Sequence, residues 1–423
     1  MRSPHPTARR TALAVAAIAL AAFAFRIWVV AEVATREPGG GDPLYYHLQA
    51  NLLADGHGFA EPFRWQEAGE IVPSAIHPPG FTVWLAAASV AGFDTVFAHK
   101  VMSALAGAIT VALVGALGFR LAGPSGGVGA ALLAAAHPNL WIIDGALMPE
   151  ALFGMTVAAV LLIADVARRR DDVWSLVALG ASIGAATLVR GEALLFVPLL
   201  AGWLALRGDI VWAMRLRRVA VVGAAAAAVI APWTIRNLVT FDVPVLLSAN
   251  GDEVIRNANC DLTWDGRLLG FWAVECYQPV PPADLDEAAR ARFWRNEGLR
   301  FVRDNIDRAP VVAAARVGRV WDLYRPGQNV ELSTVEGRNL HVARAGQIAY
   351  VALVPTAVVG AFLLRRQRVP LWPYLSTIVV VTVTAVYAYG VIRFRVPAEV
   401  ALVVLGGVAV GRGAERAIAG GVR

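Results

Sequence analysis

Lysine is almost absent from this chain: of its 38 basic residues only Lys100 is not an arginine. Charge of either sign is scarce, at 17% of the 423 residues where a soluble domain averages about 25%. Hydrophobic residues make up 57%, and the mean hydropathy is +0.56. That balance excludes an ordinary soluble globule. Cysteine occurs only at Cys260 and Cys276, and no histidine lies near either in sequence, which argues against a cysteine–histidine metal site. No short repeat and no low-complexity linker interrupts the chain, so neither a solenoid nor a flexible tether is expected.

Long apolar runs fill the chain instead. They cover residues 11–30, 96–119, 128–143, 151–167, 174–189, 193–206, 219–233, 348–364, 372–389 and 398–410. Most are long enough to cross a hydrocarbon core of about 30 Å as helices. The chain therefore reads as an all-α polytopic membrane protein with 10 or 11 crossings. The first run follows "MRSPHPTARR" and reads as an uncleaved first span, because further spans follow it.

The arginines sit at the ends of the spans, not together on one soluble face, so the net charge of +6 orients the protein and does not bind nucleic acid. Clusters at Arg9–Arg10, Arg168–Arg170, Arg207 with Arg215–Arg218, Arg365–Arg368, and Arg412 with Arg416 mark the cytoplasm. Residues 32–80, 147–150, 191–192, 237–344 and 390–395 then lie outside. The apolar piece 81–91 is short for a crossing, and its path stays open. Three regions follow: a membrane module over 1–239 with the outer loop 32–80, an extracytoplasmic segment over 240–344, and C-terminal spans over 345–423. Both cysteines fall in the extracytoplasmic segment, where a Cys260–Cys276 disulfide is expected.

The first outer loop begins "GDPLYYHLQA". Asp42 is read as the cap of a short helix, Pro43 as its first residue and Gly56 as its terminator. Leu44, Leu48 and Leu52 recur at helical spacing and suit the membrane surface. Capping alone would explain the acid. Beyond it, His77 lies where the chain re-enters the membrane. Asp144, Glu150, Arg190, Glu192, Arg236, Arg393 and Arg395 stand at span ends on the same face. Forked guanidinium donors suit phosphate oxygens, and an acid among them can serve as a general base.

The motifs "YYHLQANLLADGHGF", "HPPGF", "MPEAL", "LVRGEALL", "PWTIRN" with "LLSANGDEVIRNAN", and "RFRVP" resemble the multi-span glycosyltransferases of the GT-C fold class that use polyprenyl-phosphate sugars. That class includes relatives of the protein O-mannosyltransferases and the lipid A aminoarabinose transferases. The similarity runs from about residue 12 to 410, carried by the order of short motifs. It implies a lipid-phosphate-linked sugar as donor and a hydroxyl on a cell-envelope glycan, lipid or protein as acceptor. The site would face outward from the plasma membrane. Asp42 would be the base of an inverting transfer, and Glu150, or Asp144, a second acid. Arg190, Arg236, Arg393 and Arg395 would be candidates for the phosphate, and Tyr45, Tyr46, His77 and Glu192 would help line the cavity. Many relatives carry two adjacent acids in this loop, but here "GDP" offers one, so no metal cofactor is expected. His47, Asp55, His57 and Glu61 are the residues that could hold a divalent ion. The competing readings are a flippase for lipid-linked sugars, which would want polar or broken helices near mid-membrane, and an O-antigen-ligase-like enzyme, which would be expected to use a different large outer loop.

Overall fold

The structure, a computed structural model, describes residues 6–34, 40–208 and 211–421. Among them there is no β-strand, only an isolated bridge between Ala60 and Pro73. The protein is an all-α polytopic membrane bundle. Among the described residues six helices are long and apolar enough to cross a membrane, and four shorter apolar segments accompany them.

The first five helices are α1 (Pro6–Glu32), α2 (Asp42–Ala54), α3 (Pro62–Ala68), α4 (Pro79–Val90) and α5 (Val96–Ala136). α5 reverses direction partway. Gly123 takes φ 75° ahead of Pro124, a conformation open to glycine, and proline cannot continue the helical ladder. A Cβ on Gly118 would lie 2.5 Å from the carbonyl oxygen of Gly126. Those residues are adjacent only because the two arms run back along each other, so α5 is two crossings.

α4 is not a crossing. At one end the His77 imidazole meets Asp42 at the start of α2, and at the other Ser89 Oγ donates to Asn51 Oδ1 near the end of α2, at 2.7 Å. α4 therefore runs parallel to α2, and because the first arm of α5 runs antiparallel to α1, with Gly107 against Arg26 and Gly115 against Val15, α5 starts on the side where α1 ends. The 12 residues of α4 also cover only about 18 Å at 1.5 Å per residue. With α5 counted twice and α4 left out, the described residues hold ten candidate crossing segments.

One apolar core joins the whole bundle, from Val15 on α1 to Val408 near the C-terminus. The C-terminal helix Val396–Gly421 packs on the second arm of α5 at van der Waals distance, with Gly407 against Ala130 and Gly411 against Ser125. Inside the bundle Arg26 of α1 pairs with Asp144 at 2.5 Å and also donates to the Leu140 carbonyl. Burying two charges is tolerable only when they meet each other.

Over this bundle lies a polar layer built from residues 42–78, which include α2 and α3, and residues 241–339. Its helices include Asn250–Asn257, Glu287–Asp304 and Ala309–Val320. Asp286 caps Glu287–Asp304 by accepting from the Ala289 N–H, which explains why that helix starts where it does. Cys260 and Cys276 are joined by a disulfide within this layer.

Candidate active site

The site is built around the short extended stretch Ser74–His77. The Glu287 carboxylate accepts from Ser74 Oγ and from the Ala75 N–H, each at 2.6 Å. The N–H groups of Ala249 and Asn250 donate to the carbonyls of Ala75 and Ile76. Arg236 Nη1 donates to the Ser74 carbonyl at 2.9 Å. A buried chain continues from there: Tyr45 OH donates to Ser74 Oγ, Gln49 Nε2 donates to Tyr45 OH, and Thr82 Oγ1 donates to Gln49 Oε1. Every donor in the Glu287–Ser74–Tyr45 part of this chain points toward Glu287, so the chain ends on an acceptor-only carboxylate.

Held in this way, the His77 ring stacks on Tyr46 at 4.7 Å and meets Tyr45 edge-on at 5.1 Å. Its Nε2 lies 3.4 Å from Asp42 Oδ1. Asp42 does not cap α2. Gly41, at φ 79°, occupies the N-cap, and no side chain caps the helix. The glycine's left-handed backbone makes the turn into the helix, which leaves the carboxylate of Asp42 free to face His77. Gly56 does end the helix as expected, with φ 85° and its N–H on the Leu53 carbonyl. The face α2 buries carries Tyr45, Tyr46, Gln49, Ala50 and Leu52, whereas Leu44 and Leu48 are half-buried.

Asp42, Tyr46 and His77 line a cavity of about 700 Å³, together with Arg190, Glu192 and Arg393. Glu150 bridges the two arginines, accepting from Arg190 Nη1 and from Arg393 Nη1, the latter at 3.3 Å. Arg190 Nε donates to Glu192 at 2.6 Å, and Arg393 Nη2 donates to Tyr389 OH at 3.1 Å. Glu336 adds an ion pair to Arg393 Nε at 2.9 Å, poorly aligned for a hydrogen bond. Phe394 lies under both guanidiniums, 4.8 Å from Arg190 and 5.5 Å from Arg393. Burial pushes the Asp42 carboxyl up, but the His77 imidazole, with Arg393 and Arg190 behind it, outweighs burial and brings it down to about 2. A second part of the wall is apolar, with Leu195, Leu246, Leu247 and Val383.

The structure thus gathers Asp42, Tyr46, His77, Glu150, Arg190, Glu192 and Arg393 in one place. Four other candidates lie elsewhere. Asp144 is taken by Arg26 in the bundle. Arg395 is taken by Asp322 and Glu399 and stacks on Tyr350 at 3.5 Å. Arg236 holds the backbone of Phe59 and Ser74 and lies over Trp233. Tyr45 stands behind His77 in the hydrogen-bonded chain. The histidines and acids of the loop do not converge: His47 faces His99, His57 packs on Trp65, and Glu61 caps α3. Among the described residues no three His, Cys, Asp or Glu side chains form a metal-binding group. Sequence reasoning missed Glu287, Glu336 and Tyr389. Tyr389 adjoins the "RFRVP" motif and Glu287 follows a capping aspartate, but neither position announces its partner.

Compared with known proteins, residues 76–235 match the family of dolichyl-phosphate-mannose-protein mannosyltransferases. The fold is similar to that of the oligosaccharyltransferase AglB from Archaeoglobus fulgidus, solved with an inhibitory peptide and a dolichol-phosphate: the TM-score is 0.50 at 13% identity, over 93% of this chain and 50% of that one. The chain has the GT-C fold. This GT-C chain spans about half the length of AglB. ArnT from Cupriavidus metallidurans, solved bound to undecaprenyl phosphate, matches with a TM-score of 0.44 at 16% identity, over 95% of this chain and 77% of that one. No curated protein sequence matches the chain.

Proposed function

We propose that this GT-C chain is an inverting glycosyltransferase. It moves a sugar from a polyprenyl-phosphate donor to an acceptor hydroxyl on the outer face of the plasma membrane, with Asp42 as the general base. One observation carries the reading: an ionised carboxylate and a pair of arginines face the same cavity, and part of that cavity's wall is apolar. The phosphate of such a donor is already charged, so the protein has to orient it and stabilise the negative charge that grows on departure. Arg190 suits that task. Its Nε and Nη1 are held by carboxylates, while Nη2 has no protein acceptor among the described residues. Leu195, Leu246, Leu247 and Val383 suit the first isoprene units of the carrier. Asp42, across the cavity, takes the hydroxyl proton as the acceptor oxygen attacks the anomeric carbon from the face opposite the phosphate.

The test is Asp42→Asn in the full-length protein, assayed for release of undecaprenyl phosphate from a panel of undecaprenyl-phosphate-linked pentoses and hexoses. Wild type should turn over at least one member of the panel. The variant should turn over none, while binding undecaprenyl phosphate as well as wild type does. A fully active Asn variant removes Asp42 as the base.

A further inference from the structure

We propose that His77 is the terminal proton acceptor of the transfer, receiving through Asp42 the proton that leaves the acceptor hydroxyl. This rests on Asp42 being the base. The geometry places the imidazole Nε2 3.4 Å from Asp42 Oδ1, with His77 buried and both residues on the cavity wall. Contacts of this kind are commonly long before substrate binds and tighten in the reactive complex. The ring is fixed on two sides by Tyr45 and Tyr46, and its backbone is fixed by the bonds that Ala75 and Ile76 make to Glu287, Ala249 and Asn250. A side chain clamped to this degree keeps Nε2 facing Asp42.

Charge around the ring supports the same assignment. Asp42 acts on it from α2, Glu253 from helix Asn250–Asn257, and Glu287 from helix Glu287–Asp304. Tyr46 stacks on the ring and Tyr45 meets it edge-on. A proton delivered to Nε2 lies against the Asp42 carboxylate, 3.4 Å away, so the transferred charge is paired where it arrives.

The step balances as follows. The acceptor O–H bond breaks, and its oxygen forms the new bond to the anomeric carbon. The bond from that carbon to the phosphate oxygen breaks, and its electron pair leaves on the carrier phosphate. One lone pair of Asp42 Oδ1 receives the proton, and the proton passes to Nε2 of a neutral His77 that carries its own hydrogen on Nδ1. The products are the glycoside, the polyprenyl phosphate and an imidazolium.

His77→Gln and His77→Asn both keep a polar side chain beside Asp42 but cannot take up the proton. In the undecaprenyl-phosphate-sugar assay, kcat should fall about 10²-fold, while the Kd for undecaprenyl phosphate stays within about twofold of wild type. The acid limb of the kcat/KM profile should move at least one pH unit lower, because an imidazole no longer has to be neutral for turnover. An acid limb at the wild-type pH in both variants, with Asp42→Asn inactive, overturns the role of His77 and leaves Asp42 standing. Turnover by Asp42→Asn overturns the Asp42 reading and this one with it.

Discussion

Arginine and carboxylate side chains at span ends look alike in a sequence, yet here they have three different occupations. Arg190 and Arg393 meet on Glu150 at the cavity, Arg395 closes a buried cluster with Asp322 and Glu399, and Arg236 holds loop backbone. The type of residue and its depth were legible from the pattern of charges. The partner was not, because all of these pairs except Arg395–Glu399 lie far apart in the chain, from 40 positions for Glu150 and Arg190 to 243 for Glu150 and Arg393. Glu253 shows what single-residue placement does to stability. Burial raises its carboxyl to about 7, and Glu287 and Asp42 add to the rise against Arg290 and His77. A carboxyl raised on folding contributes stability that is fully present below its unfolded value of about 4.5 and is lost as pH rises through about 7. Glu253→Gln keeps the neutral form at every pH. Its melting temperature in detergent should therefore exceed that of wild type by a few degrees at pH 8, and the two should coincide near pH 4. Equal melting temperatures at pH 8 would show that Glu253 is not held neutral.

At the scale of helices, the apolar runs located nearly every element, since a bilayer demands continuous helical segments and the sequence marks them. The ambiguous piece, α4, could not be placed because eleven or twelve apolar residues suit both a partial insertion and a buried helix. Its contacts with both ends of α2 decide the matter. Close helix approach was also written in the chain, in the spacing of Gly407 and Gly411, but small residues are common everywhere in such a composition. The structure shows which of them are tight. A Cβ on Gly407 would come within 2.3 Å of Ala130 Cα, whereas a Cβ on Gly413, on the same helix, meets nothing within 4 Å. Alanine is the better helix former by about 1 kcal/mol. Gly413→Ala should therefore be neutral or stabilising, while Gly407→Ala should lower the melting temperature by several degrees and reduce the yield of monodisperse protein. Equal effects of the two substitutions would mean that the helix Val396–Gly421 does not pack on α5 at that crossing.

Across the whole molecule, a membrane bundle supplies Glu150, Arg190 and Arg393, and a polar layer over it supplies Asp42 and His77. Catalysis in such a design depends on how well the two are joined. The bundle has its own large apolar core, whereas the cluster formed by Ala75, Trp233, Phe241, Val245 and Ala288 is small. Further apolar contact joins the two, with Tyr45 and Tyr46 in the bundle core and Ala258, Phe271 and Val320 packed with Val381, Tyr389 and Phe394. The stretch that carries His77 is tied by polar groups, and Glu287 makes the central tie. Its buried carboxylate reaches back 212 positions to take the Ala75 N–H and also closes the Ser74–Tyr45–Gln49 chain. Glu287→Gln retains the volume but turns one end of the group into a donor, facing either the Ser74 hydroxyl or the Ala75 N–H. One buried hydrogen bond to a charged acceptor is lost and one donor is left unmet, a cost of about 1–3 kcal/mol. That is small beside the cohesion of the bundle, and it falls on the one stretch that carries His77. The expected outcome is a bundle that melts within a degree or two of wild type, a loop at residues 55–73 that is cut faster by protease, and a kcat reduced about tenfold as His77 and Asp42 lose their alignment. The same loss of kcat with no change in proteolysis would place the effect of Glu287 in the chemistry and not in the joint between the layers.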